Sequence, residues 1–260
     1  MARFFITGSS DGLGSLTAKR LTSQGHTVIL HARNAERARA AAAACPGAET
    51  VLVADLSSID ETKRLAAEAD RHGPYDAVIH NAGVYQDMAR VPGKSPGLPT
   101  LFAVNTLAPY VLTCLMAKPK RLVFVASDAH LGGRADRRGR ELVEGTSYAD
   151  SKLHDVMLAK AFARRWAGAG TGCYSVHPGW VPTKMGGRQA PERIEDGVDT
   201  YVMLALGEGE EGWSPGGYFV NSREKQPKAV ADDVGLQDQL LAELAEISGV
   251  AVPERSRTER

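Results

Sequence analysis

Tyr148-Ala149-Asp150-Ser151-Lys152 sets a phenol and an ammonium four positions apart. On a helix that spacing puts both groups on one face, one turn apart. A free tyrosine titrates near pH 10 and is a poor acid or base at neutral pH. An ammonium held beside it favours the phenolate and brings the phenol towards acid–base work. Such a pair decorates many helix surfaces, so it becomes a site only if something else in the chain delivers a reactant. The N-terminus offers that feature in Thr7-Gly8-Ser9-Ser10-Asp11-Gly12-Leu13-Gly14, directly after the apolar run Arg3–Thr7. Glycines let the backbone turn sharply and approach a ligand closely. A helix starting there presents unpaired N–H groups and a partial positive charge to a pyrophosphate. The next apolar run ends in His31-Ala32-Arg33-Asn34. An acid at that point would accept the ribose 2′-hydroxyl of NAD, whereas an arginine accommodates the 2′-phosphate of NADP. Arg33 with no acid beside it therefore predicts NADP(H) in preference to NAD(H).

The elements that must carry these groups alternate along the chain. Arg3–Thr7, Thr27–His31, Thr50–Ala54, Asp76–His80, Arg121–Ala126, Gly172–His177 and Gly217–Val220 are short, apolar and bounded by turn residues, as buried parallel strands are. Helical segments lie between them. Leu13–Gln24 stops at Gly25, and Ala-rich Glu36–Cys45 follows. Ser58-Ile59-Asp60-Glu61 opens a third helix with a capping-box pattern, and Thr100–Ala117 and Ser147–Ala167 are the longest candidates. This rhythm predicts an α/β fold: a Rossmann-type, doubly wound, seven-stranded parallel sheet with helices on both faces. No composition break or internal repeat divides it, so residues 1–252 read as a single NADP(H)-binding oxidoreductase domain and 253–260 as a flexible tail. Val84–Pro99 holds three prolines and two glycines and reads as a loop, as does Trp180–Pro191.

Composition removes several alternatives. Thirty-one basic and 31 acidic side chains cancel in this 260-residue chain, which disfavours general nucleic-acid binding. No run approaches the length of a membrane span, and the first residues carry no signal-peptide core. Cys45, Cys114 and Cys173 have no metal-ligand spacing and cannot all pair, so no metal is expected and a reducing, cytoplasmic location is.

Taken in order, these motifs resemble the short-chain dehydrogenase/reductase superfamily, single-domain type, from about Arg3 to Ile247. Gly8, Ser10, Asp11, Gly12, Leu13 and Gly14 resemble its cofactor turn, and Asp55-Leu56 its adenine contact. Asn81-Ala82-Gly83 resembles the motif ending the fourth strand, and Pro178, Gly179, Val181 and Thr183 the segment that closes over the nicotinamide. Asn105, Ser127, Tyr148 and Lys152 match its catalytic set. A narrower resemblance, to the retinol-dehydrogenase-like branch, lies in Ala126-Ser127-Asp128-Ala129-His130, the 21-residue gap from Ser127 to Tyr148, and Val176-His177-Pro178-Gly179-Trp180-Val181. The resemblance implies reversible hydride transfer between the nicotinamide and a small carbonyl or alcohol substrate. In it Tyr148 is proton donor, Lys152 holds the ribose and lowers the tyrosine pKa, Ser127 bonds the substrate oxygen, and Asn105 holds a water leading to solvent. A homo-oligomer is compatible with the pattern. The alternative function is a catalytically silent NADP(H)-binding sensor or scaffold, which would not need the intact Asn-Ser-Tyr-Lys set.

Arg134, Arg137, Arg138 and Arg140 read as a solvated stretch diluted by Asp136, Glu141 and Glu144. His130 and His177 read as structural. Tyr85, Met88, Trp180 and Met185 fall in loops expected to flank the nicotinamide, where they could line an apolar substrate pocket.

Overall fold

A computed structural model describes residues 1–254. The strands are β1 (Arg3–Ile6), β2 (Thr27–Ala32), β3 (Thr50–Val53), β4 (Ala77–His80), β5 (Arg121–Val125), β6 (Gly172–His177), β7 (Tyr218–Val220) and β8 (Arg223–Lys225). They form one sheet in the order β3-β2-β1-β4-β5-β6-β7-β8. The first seven run parallel, as the sequence implied. The eighth corrects the expected count: it folds back antiparallel on β7, pairing Val220 with Arg223. Its two-residue turn, Asn221-Ser222, has positive φ at both positions, 49° and 57°. That is the primed geometry which matches strand twist, more often built from Asn-Gly.

Helices α1 (Gly12–Ser23), α2 (Ala35–Ala44) and α3 (Ile59–Asp70) follow the first three strands. Next come α4 (Thr100–Phe102), a π-helical turn (Ala103–Leu107) and α5 (Ala108–Leu115), then α6 (Gly139–Gly145), α7 (Tyr148–Arg165), α8 (Ile194–Leu206) and α9 (Val234–Ser248). Strand alternation sends side chains to opposite faces. Phe5, Ile29, Val78 and Phe124 pack with Leu65, Tyr110, Val156, Phe162 and Leu241 on one face. Phe4, Ile6, Leu30, Ile79 and Val123 pack with Leu21, Ala41, Tyr201 and Leu204 on the other. One face is thus covered by α3, α5, α7 and α9 and the other by α1, α2 and α8.

The expected continuous helix over Thr100–Ala117 is interrupted by the π turn, and Asn105 lies inside it. Pro109 has no N–H, so the Asn105 carbonyl cannot receive the usual bond from four residues on. The 84–99 segment is a loop with one short 3₁₀ turn, Gln86–Met88. Of the expected tail, residues 255–260 lie outside the described residues. Among the described residues, no helix is long and apolar enough to cross a membrane.

Candidate active site

The strand order reverses between β1 and β4, and the glycine turn lies at that switch point. Gly8 has φ +61°, and a Cβ there would meet Ala82 Cα at 2.7 Å. Asn81 reaches back to brace the turn, its Nδ2 donating to the carbonyls of Thr7 and Gly8 at 2.9 and 3.0 Å. The Ala82 N–H donates to Thr7 Oγ1 at 3.0 Å. A third brace, not anticipated from sequence, is His31. The Gly8 N–H donates to its Nδ1 at 2.9 Å, so the proton sits on Nε2 and is given to the Ala54 carbonyl at 2.9 Å. Burial pushes this imidazole down to about 4, so it is neutral in the folded chain.

Helix α1 begins at this turn with Asp11 at its N-cap, yet Asp11 makes no cap bond. Its Oδ2 instead receives Arg37 Nη1 at 2.9 Å and Lys184 Nζ at 3.0 Å. Burial opposes its ionisation, but the hydrogen bonds and charges of Lys184 and Arg37 together outweigh burial and hold the carboxyl below its ordinary range. The first N–H groups of α1 are therefore left open towards the cleft, where a pyrophosphate would satisfy them. Arg33 is exposed on the rim. Arg37 accompanies it because Asn34 caps α2 by accepting the Arg37 N–H at 2.9 Å, which sets that residue in the first turn; its Nη1 also reaches Ser10 Oγ at 3.4 Å. Asp55, at the end of β3, accepts from Ser57 N–H and Oγ–H at 3.0 and 2.8 Å and lies 3.5 Å from Lys94 Nζ.

At the other end of the cleft, a capping box starts α7. Ser147 Oγ accepts the Asp150 N–H at 3.1 Å, and Asp150 Oδ2 accepts the Ser147 N–H at 2.9 Å. Asp150 also binds Arg137 Nε at 3.0 Å and the Arg134 N–H at 2.7 Å. Arg134 further pairs with Asp136 at 3.2 Å and Arg140 with Glu144 at 2.8 Å, so the arginine-rich stretch is largely neutralised locally. Tyr148 then lies with its ring 4.8 Å from that of Tyr85, and Lys152 Nζ is 5.7 Å from the Tyr148 ring centre. Lys152 donates to the Val125 carbonyl at 2.6 Å and to Asp155 at 2.9 Å. Ser127 Oγ accepts the Ala129 N–H at 3.2 Å, which leaves its own proton to give.

One cleft of about 1080 Å³ joins the two ends. It is lined by Gly8, Ser10, Asp11, Gly12, Leu13, Arg33, Asp55, Leu56, Asn81, Ala82, Gly83, Ser127, Tyr148, Lys152, Pro178, Gly179, Val181 and Thr183. Two residues of the sequence-based set stand behind the wall. Gly14 packs on Asn81, where a Cβ would lie 2.5 Å from Nδ2. Asn105 is buried and clamps Val84 through N–H to Oδ1 at 2.8 Å and Nδ2 to the carbonyl at 2.9 Å, with Nδ2 also 3.1 Å from Ser151 Oγ. Tyr85, Met88, Trp180, Met185 and His177 line the cleft as well. His130 instead binds the Ser127 carbonyl at 2.7 Å and accepts the Lys228 N–H at 3.0 Å.

Open N–H groups at α1, arginines at the rim and an elongated cleft of this volume fit a nicotinamide dinucleotide. The fold and cleft are those of the doubly wound dinucleotide-binding proteins. A family model described as short chain dehydrogenase matches residues 3–193, and the chain belongs to that family. An uncharacterized oxidoreductase of Emericella nidulans is 51% identical over 97% of this chain and 99% of its own length. Human retinol dehydrogenase 13 is 29% identical over 95% of this chain and 85% of its own, in keeping with the retinol-dehydrogenase-like branch. The NADPH-bound carbonyl reductase of chicken fatty liver shares the fold with a TM-score of 0.64 at 17% identity, over 87% of this chain and 99% of that one. The protein is accordingly a hydride-transfer oxidoreductase of the short-chain dehydrogenase type.

Proposed function

We propose that the protein is an NADPH-dependent reductase of carbonyl compounds, running in reverse as an alcohol dehydrogenase. The observation that carries this reading is the continuity of one cleft from the open N-terminus of α1, past Arg33, to Ser127, Tyr148 and Lys152. NADPH bound along it supplies the hydride. Gly8, Gly12, Leu13, Asn81, Ala82 and Gly83 shape the backbone groove for the dinucleotide, and Asp55 and Leu56 border the adenine. Arg33 and Arg37 take the 2′-phosphate, and Pro178, Gly179, Val181 and Thr183 border the nicotinamide. Ser127 Oγ–H hydrogen-bonds the substrate oxygen, and the Tyr148 hydroxyl gives it a proton. Lys152 holds the ribose and keeps its ammonium 5.7 Å from the Tyr148 ring centre. Asn105 keeps Val84 and Ser151 in place on either side of that pair. The apolar rings and thioethers of Tyr85, Trp180, Met88 and Met185 flank the carbonyl. The cytoplasm is the compartment that fits this chemistry and the unpaired cysteines.

The test combines calorimetric titration of NADPH and NADH with a screen of NADPH consumption against aldehydes, ketones and quinones. Tighter NADPH binding with turnover of at least one carbonyl is expected. NADPH binding with no turnover across a broad panel would favour a silent cofactor sensor, and equal affinity for the two cofactors would remove the arginine assignment.

A further inference from the structure

The Lys152 ammonium has three N–H donors, and the protein itself occupies two of them, with the Val125 carbonyl at 2.6 Å and Asp155 Oδ2 at 2.9 Å. One donor is left for whatever enters the cleft. Asp155 follows Lys152 by one turn on the same face of α7, and the two side chains are 6% and 2% exposed. Desolvating a carboxylate this completely is costly. An amide in the same place would also accept a hydrogen bond from Lys152, at a smaller desolvation cost. What only the anion adds is a field acting on the two proton-carrying groups beside it.

We infer that Asp155 is a positioning residue for the proton-donating pair: its carboxylate fixes the Lys152 ammonium beside Tyr148 and keeps it charged while the cleft works. The consequence for turnover rests on the reductase reading above; the charge state of Lys152 does not. Burial works to strip the proton from Lys152, but the Asp155 charge, the Tyr148 oxygen and the Asp155 hydrogen bond together outweigh it and hold the ammonium above its ordinary range. Burial pushes Asp155 up to about 6 against the pull of Lys152, so it is still an anion at neutral pH. Tyr148 on the same helix and the wholly buried Tyr201 on α8 are the other titratable groups acting on this pair. The remaining ionisable groups on the adjoining walls are engaged elsewhere: Asp128 with Tyr218 and His177, His130 with Ser127 and Lys228, and His154 with Thr106.

Removing a nearby negative charge eases proton loss from the Lys152 ammonium. Asp155→Asn keeps the shape and an acceptor oxygen but removes the charge. Its alkaline limb for carbonyl reduction is expected to move to lower pH by about one unit or more, while Asp155→Glu stays within about half a unit of the unmodified protein. A uniform loss of rate at every pH, with the limb unmoved, would mark Asp155 as merely structural and overturn the inference. A second measurement needs neither substrate nor a folded Asp155 variant. In the unmodified chain, nitrogen-detected NMR of ¹⁵N-lysine amines, assigned by the signal lost in Lys152→Arg, should show an ammonium at Lys152 up to about pH 9.5. A neutral amine at about pH 8 would overturn the inference whether or not any carbonyl is reduced.

Discussion

Helices α1 and α7 both start beside the cleft, and their N-termini are finished in opposite ways. Helix α7 closes its own end, with Ser147 and Asp150 satisfying each other's backbone N–H groups and Arg137 reinforcing Asp150. Helix α1 has Asp11 at its N-cap, where α7 has Ser147, and makes no cap bond with it; Arg37 and Lys184 hold the Asp11 carboxylate instead. The difference separates two tasks. An end that must hold Tyr148 at a fixed height is sealed by the chain itself, whereas an end that must receive phosphate is kept free. The open end carries a cost in backbone hydrogen bonding that a bound dinucleotide would recover.

Acid should erase the contrast by unfolding the chain, which buries neutral histidines beneath the α1 turn, within α7 and on β4. Burial holds His31, beneath the α1 turn, and His154, within α7, at about 4, and His80 at about 3. The unfolded chain protonates its imidazoles near 6.5, so below that pH it binds more protons than the folded chain. Stability present above 6.5 is therefore expected to fall progressively towards pH 4, as read by denaturant midpoints across that range. His31→Gln should flatten part of the slope.

Tyr148→Phe tests the sealed end. It leaves the capping box and the α1 turn intact, so NADPH affinity should persist while single-turnover reduction falls by about 10²–10⁴. Undiminished turnover would remove Tyr148 as proton donor. Gly14→Ala tests the open end. A methyl 2.5 Å from Asn81 Nδ2 displaces the brace of the glycine turn, and overpacking of that kind costs about 1–3 kcal/mol. Lower thermal stability and weaker NADPH binding should appear together. Arg33→Ala should weaken NADPH binding by at least about tenfold and leave NADH binding unchanged, the cost of one charge-assisted contact. The smallest effect sharpens the comparison most directly: Ser147→Ala should cost about 1 kcal/mol of stability, and Asp11→Ala should cost no cap energy at all.

Sequence carried the sheet and the glycine turn well, because short apolar runs and glycines act over a few residues. It also named Tyr148, Lys152 and Ser127, and the fold brings all three to the lining of one cleft. Lys184 and His31 were out of reach, since their roles depend on segments meeting across the sheet end; Arg37 was not. Asn34 capping α2 is what aims Arg37, and a cap followed by an arginine at that offset was a readable signal. Pro109 likewise announced the π turn around Asn105, against a helical pattern that ran straight through it. The eighth strand was hidden by its turn, since Asn-Ser lacks the glycine by which such hairpins are usually recognised.

That last strand has a consequence for how the molecules behave in a crowd. A parallel sheet ending at β7 would offer Tyr218–Val220 as a bare ladder on which another chain could stack. The hairpin instead puts Arg223, Glu224 and Lys225 outermost. Charges of both signs on a strand only three residues long make a poor template for further pairing. This edge of the sheet is thereby guarded against edge-to-edge polymerisation by a strand that reaches neither the cofactor cleft nor Tyr148.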